Sequence, residues 1–190
     1  RALIARARDL GLQVNVHAIG DAANLSALNA FAADRARVGE RHRIEHAQVV
    51  QDHEIHAFAD LGVIASMQPV HAVSDEAMAK KRLPPELLDG AYVWDRFRKE
   101  GVVLAFGSDF PVESANPFAG WYAAVSGAGG WRRDHAVSRL EAFRAFTLGA
   151  AWSAFMEPEI GSLETGKWAD FILVDDDPFA VDLADIATIE

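Results

Sequence analysis

The sequence contains no cysteine. Its absence excludes disulfides and thiolate metal sites, leaves His and carboxylate as the available metal ligands, and fits a reducing, cytoplasmic compartment. Basic residues are the minority, 18 Lys+Arg against 28 Asp+Glu for a net charge of −10. Such a chain is repelled by phosphate backbones and anionic lipid, so neither nucleic acid nor a membrane surface is expected as a partner. No apolar run approaches the roughly 20 residues that cross a bilayer. The opening Arg1-Ala2-Leu3-Ile4-Ala5-Arg6-Ala7-Arg8 carries charges where a signal peptide would be apolar. Neither G-x-G-x-x-G nor G-x-x-x-x-G-K occurs, so a glycine-rich phosphate cradle is missing as well.

What is present is ordinary globular composition, 51% hydrophobic and 24% charged over 190 residues, enough for one domain or for part of a larger one. Four times in the first 110 residues a helical stretch ends at a Gly, and a short apolar strand then leads to a polar residue. Leu3, Ala7 and Leu10 form the first apolar stripe, Gly11 stops it, and Leu12 to Val16 run to His17. In the second unit Leu25, Leu28 and Ala32 face inward from a helix starting near Asp21, and Arg43-Ile44-Glu45 leads to His46. The third has Asp52 as N-cap, Ile55, Phe58 and Leu61 inward and Gly62 as stop, with Val63 to Met67 running to Gln68. Trp94, Phe97 and Gly101 precede Val102 to Phe106 and Asp109 in the fourth.

Strands that alternate with helices predict parallel pairing with right-handed crossovers, in an open sheet or a (β/α)8 barrel. In both, chemistry collects at the carboxyl ends of the strands. The absence of a phosphate turn and the His, His, Gln and Asp at the strand ends favour the barrel. Downstream, Ser138-Arg139-Leu140-Glu141 spells a capping box, with Leu140, Phe143, Thr147, Ala150 and Ala154 on one face of the helix it opens. Ala169 to Val174 reads as a strand and Asp175-Asp176-Asp177-Pro178 as a turn.

His17, His46 and Asp109 each follow an apolar strand and would point into one barrel mouth, a nitrogen and oxygen set suited to Zn²⁺ or a similar divalent ion. Asp109 is the candidate proton acceptor beside such a cation. His71 lies just beyond the third strand, in Gln68-Pro69-Val70-His71, where a loop residue could reach a ligand or simply be structural. His42, His53, His56 and His135 read as solvated surface residues, and Asp21 as a helix cap. Trp121, Trp131 and Tyr122 read chiefly as packing residues beside a candidate lid.

Val16-His17-Ala18-Ile19-Gly20-Asp21, Arg43-Ile44-Glu45-His46-Ala47-Gln48, Met67-Gln68-Pro69 with His71, and Gly107-Ser108-Asp109-Phe110-Pro111-Val112 resemble, in order, the later strand motifs of the amidohydrolase superfamily. They look most like its amidohydrolase 3 branch, the YtcJ-like metal-dependent hydrolases that include N-substituted formamide deformylases. The tail, through Gly161-Ser162-Leu163 and Gly166-Lys167-Trp168-Ala169-Asp170-Phe171, is similar to that family's return into a small β-sandwich. The resemblance implies an α/β fold: the C-terminal half of a (β/α)8 barrel, with about four βα units over residues 1–157, and a β-sandwich segment over 158–190. It further implies one or two divalent ions, Zn²⁺ first, held by His17, His46 and Asp109. Metal-activated water would attack an amide-like, non-peptide C–N bond of a small-molecule substrate, Asp109 shuttling the proton while Gln68 and His71 contact substrate.

The superfamily's first strand supplies a His-x-His pair and its fourth a Lys or Glu, and neither the pair nor those strands occur here. A barrel of about 250 residues is the norm for this fold. The expectation is therefore a C-terminal portion completed by a missing N-terminal half or by a homo-oligomer, with little or no amidase activity on its own. Two other readings compete: a non-catalytic half-barrel that binds a ligand or a second copy, and a metal-free isomerase or lyase using His and Asp as acid and base.

Overall fold

The computed structural model describes every residue except Arg1, Arg35 and Arg37. In chain order the elements are α1 (Ala2–Asp9), β1 (Asn15–Ala18), α2 (Asp21–Ala33), β2 (Arg43–His46), α3 (Asp52–Leu61), β3 (Ile64–Met67), α4 (His71–Ser74), α5 (Glu76–Arg82), α6 (Pro85–Asp89), α7 (Trp94–Lys99), β4 (Leu104–Phe106), α8 (Pro117–Ser126), α9 (Arg139–Arg144) and α10 (Ala150–Ser153). They fall into two units, one of residues 1–67 with 79–104, the other of 68–78 with 105–190.

In the first unit β1 pairs parallel with β2, and β2 with β3, in the order β1-β2-β3. The chain crosses over through α2 and α3, as the alternation of periods requires. β3 is nearly continuous apolar surface, with Ile64, Ala65 and Met67 buried. β1 departs from that expectation: Asn15 and His17 are exposed, and among the described strands β1 stands at the end of the order. Phe31, Ile44, Phe58, Trp94 and Phe97 are fully buried, and Phe58 meets Phe97 edge to face at 5.0 Å. Each such side chain contributes on the order of 1.5–3 kcal/mol.

Several inward faces differ from the sequence expectation. Leu3 is 82% exposed and Leu10 is exposed as well, while Ile4 is the buried residue of α1. On α2 the buried face is Asn24, Ala27, Leu28 and Phe31, so Leu28 points inward as expected and Leu25 and Ala32 do not. Alanine-rich helices present several apolar faces of similar width, so periodicity alone does not single one out. On α3 Ile55 and Phe58 are inward as expected, but Gln51 rather than Asp52 caps the helix, in a reciprocal box with Glu54.

His42 is a correction. It is only 2% exposed, stacked on Phe31 at 5.1 Å, and its Nδ1 accepts the Val14 amide at 3.1 Å. Burial pushes its pKa down, and the nearby Glu40 and Asp34 carboxylates only partly oppose this. The unfolded chain then takes up this proton before the folded one does. Stability is therefore complete above the ordinary imidazole range around 6.5 and falls on acidification through it, levelling below the lowered folded pKa. Thermal unfolding of His42→Gln followed from pH 7.5 to pH 5 should show a shallower loss of midpoint than the unsubstituted chain; equal slopes would contradict this.

In the second unit α8 packs on the turn Leu183–Thr188, where Ile186 is fully buried. Trp121 stands among Phe118, Phe143 and Phe179, with ring separations of 6.0, 5.4 and 5.3 Å. Trp131 donates its indole N–H to the Ala72 carbonyl at 2.8 Å, and Tyr122 is half-buried, so the aromatic stretch is packing, as expected. Ser138 and Glu141 form the expected capping box. The face that follows is different: Leu140 and Phe143 are largely exposed, and Ala142, Ala145, Ala151 and Ser153 are buried. A π-helical turn over Ala145–Gly149 rotates the residues beyond it away from α-helical spacing. His135, expected at the surface, is buried in the short turn Arg133–His135. That turn leads straight to buried Val137, whose amide donates to the Ala124 carbonyl of α8. His53 and His56 are exposed as expected.

Residues 169–174 carry no strand, contrary to the sequence reading. A strand exists only through its ladder, and none of the described strands pairs with this segment, leaving Phe171, Ile172 and Leu173 exposed, the last at 87%. The acidic trio is turn chemistry: Asp177 Oδ1 accepts the Phe179 amide at 2.8 Å. Among the described residues no helix is long and apolar enough to cross a membrane.

Candidate functional site

The first unit brings His17 and His46 together. They stand on neighbouring parallel strands, Ala18 in register with His46, and their rings meet edge to face with centroids 4.3 Å apart. His17 is exposed and His46 buried. His46 and Ala47 both adopt positive φ, 79° and 46°. Such left-handed backbone costs non-glycine residues on the order of 1–3 kcal/mol and persists only where the surroundings fix it. Here they do. Ala47 donates to the Ala18 carbonyl at 3.0 Å, Val50 to Gly90 at 2.9 Å, and Tyr92 to Gln48 at 2.7 Å, while the Gln48 side-chain amide donates to the Tyr92 hydroxyl at 2.6 Å. The roles of Gln48 and Tyr92 were not foreseen, since their pairing depends on a fold contact that no local pattern signals. Asp21 is the first residue of α2 behind Gly20 at the cap position, so its charge faces the helix N-terminus rather than capping it.

The second unit brings His71 and Asp109 together. His71 opens α4 and is buried; the Asp109 side chain is 39% exposed, in the loop after β4. His71 Nε2 lies 3.9 Å from Asp109 Oδ2, too long for a hydrogen bond and short enough for both to grip a third atom. Asp109 too is left-handed, with φ 58°. Ser74 on α4 donates to Glu113 Oε1 at 2.6 Å, and Val112 donates to the Asp109 carbonyl at 2.8 Å, which ties down the loop that carries the carboxylate. Gln68 is buried at the end of β3. His71, which the sequence reading placed beside substrate, thus faces the carboxylate expected to move the proton.

Taken unit by unit, two imidazoles on neighbouring strands and an imidazole beside a carboxylate are each donor types that divalent cations take. The model of the amidohydrolase family matches residues 1–190. The chain belongs to the amidohydrolase family. YtcJ of Bacillus subtilis is 31% identical over 195 residues, a match covering 99% of this amidohydrolase chain and 37% of YtcJ. N-substituted formamide deformylase of Arthrobacter pascens is 28% identical over 193 residues, covering 93% of the chain and 34% of that enzyme. A crystal structure of an uncharacterized metal-dependent hydrolase from Pyrococcus horikoshii superposes with a TM-score of 0.84 at 33% identity, over 96% of this chain and 38% of that one. This amidohydrolase chain therefore spans little more than a third of the length of these relatives.

Proposed function

We propose that the chain is part of a metal-dependent hydrolase of carbon–nitrogen bonds in amide-like, non-peptide small molecules. The observation that carries this reading is the pair of imidazoles on adjacent parallel strands, His17 and His46, 4.3 Å apart. The resident cation, Zn²⁺ by the chemistry of the donors, would be held by His17, His46 and Asp109. When bound it supplies Lewis acidity toward a carbonyl and toward water. Asp109 receives the proton of the attacking water on a carboxylate oxygen and delivers it to the leaving nitrogen. His71, 3.9 Å from that carboxylate, keeps it turned toward the reacting groups, and Gln68 offers an amide to the substrate. A formamide deformylase among the relatives supports attack at a small acyl carbon on nitrogen. In this reading residues 1–157 are the C-terminal half of a (β/α)8 barrel and 158–190 the C-terminal segment of a small β-sandwich.

Metal analysis of protein purified without chelator, together with hydrolysis of a panel of N-substituted formamides and simple amides, tests the proposal. Stoichiometric divalent metal, and turnover lost on chelation and regained with Zn²⁺, are expected from the protein carrying the full ligand set. Protein free of divalent metal that still turns over would overturn it.

Exposed Phe171, Ile172 and Leu173 favour a second reading, a module that associates with its own copy through this segment. Sedimentation of the unsubstituted chain beside Leu173→Lys separates the two: a dimer lost on substitution supports self-association, and a monomer in both cases removes it.

A further inference from the structure

Asn24 is a misfit where it stands. It lies inside α2, fully buried, although Asn is a poor helix-interior residue and loses its hydration there. Among the described residues its Oδ1 has no hydrogen-bond partner, so a Leu at this position would serve the helix and the core better. Its other side-chain atom explains what it does. Nδ2 faces three backbone carbonyls, Gly20 at 2.9 Å, Ile19 at 3.2 Å and Val49 at 3.3 Å. Ile19 and Gly20 follow β1, just beyond His17; Val49 follows β2, just beyond His46. The two loops also touch directly, Val49 donating to the Ile19 carbonyl at 3.0 Å. One buried amide therefore closes a knot between the segments that carry the two imidazoles, next to the left-handed His46 and Ala47.

We propose that Asn24 is a positioning residue that holds His17 and His46 at the separation a shared cation requires. The inference rests on the reading of these two histidines as metal ligands. Asn24 touches neither ring; it acts through the loops behind them. Polar groups that orient ligands in this way typically set metal affinity by 10- to 100-fold.

The test uses the full chain and Zn²⁺ alone, with affinity read by competition against a chromogenic chelator. Asn24→Leu and Asn24→Ala both put good helix formers at the site, and circular dichroism checks that each variant folds. Phe58→Leu, in the core of the same unit and not among the donors or acceptors named above that tie the two loops, controls for lost stability. Zinc binding 10- to 100-fold weaker in the folded Asn24 variant is expected, with Phe58→Leu within about twofold of the unsubstituted chain. Imidazole nitrogen resonances of His17 and His46 should shift in the Asn24 variants and stay in place in Phe58→Leu. His46→Ala separates the inference from the reading beneath it. If His46→Ala binds zinc as tightly as the unsubstituted chain, the histidine ligands are wrong and the role of Asn24 falls with them. If His46→Ala loses zinc while the Asn24 variants bind like Phe58→Leu, the positioning role alone is overturned.

Discussion

Asp109→Asn, made in the protein carrying the full ligand set, is expected to lower kcat/KM by about 10²–10⁴-fold, the range general acid–base groups contribute. The same substitution should leave the thermal midpoint almost unchanged. Both halves follow from where the residue sits. Its φ of 58° is a conformation that Asn tolerates as readily as Asp, whereas Ala would add strain. The side chain is 39% exposed, so the exchange of an oxygen for an NH₂ group disturbs little packing. What disappears is the charge that would face a cation and the oxygen that would take the proton. Steady-state kinetics and a melting curve on the same preparation decide the matter. Activity retained in a folded Asn variant removes Asp109 from the chemistry.

The second large effect is on stability. Gly90→Ala is expected to cost about 2–3 kcal/mol, from overpacking and a strained buried hydrogen bond. The Gly90 backbone is not left-handed, so conformation is not the reason; space is. An added Cβ would sit 2.5 Å from the Val50 carbonyl oxygen, 2.9 Å from Gln51 Nε2 and 3.1 Å from the Val50 carbonyl carbon. Val50 is fully buried and donates its amide to the Gly90 carbonyl, so it has nowhere to retreat without breaking that bond. The displaced segment is the one behind His46. Urea unfolding should show a lower midpoint with an unchanged slope; a loss below about 0.5 kcal/mol, the size of an ordinary surface change, would show that the segment yields freely.

The strand ends were legible because they depend on local punctuation. A helix, a stop and a short strand place the next side chain at a carboxyl end, which is how His17, His46 and Asp109 became candidates; that His17 meets His46 and His71 meets Asp109 is seen only in the fold. The same punctuation gave the parallel order of β1, β2 and β3 and the Ser138 capping box. Errors arose where the answer lies in a distant partner. His42 looks polar in its own neighbourhood but is buried because the Val14 amide needs an acceptor and Phe31 offers a ring. Leu3 and Ile4 lie on the same short helix, and only the packing of the unit decides which goes in. The π-turn over Ala145–Gly149 leaves no mark in the periodicity, and the positions after it, Ala151 and Ser153, are buried in place of the expected Ala150 and Ala154. The segment 169–174 has strand composition, yet composition cannot supply a ladder. Asn24 and the Gln48–Tyr92 pair act between loops separated by a whole helix or more, which a reading along one segment does not reach.

The central claim is that His17, His46 and Asp109 hold one divalent cation. Crystals of the zinc-loaded protein, measured on both sides of the zinc absorption edge, test it directly. The account predicts a single strong anomalous peak bonded to both imidazoles and to the Asp109 carboxylate. Zinc found only on other side chains, with these three residues free of it at saturating metal, would contradict it.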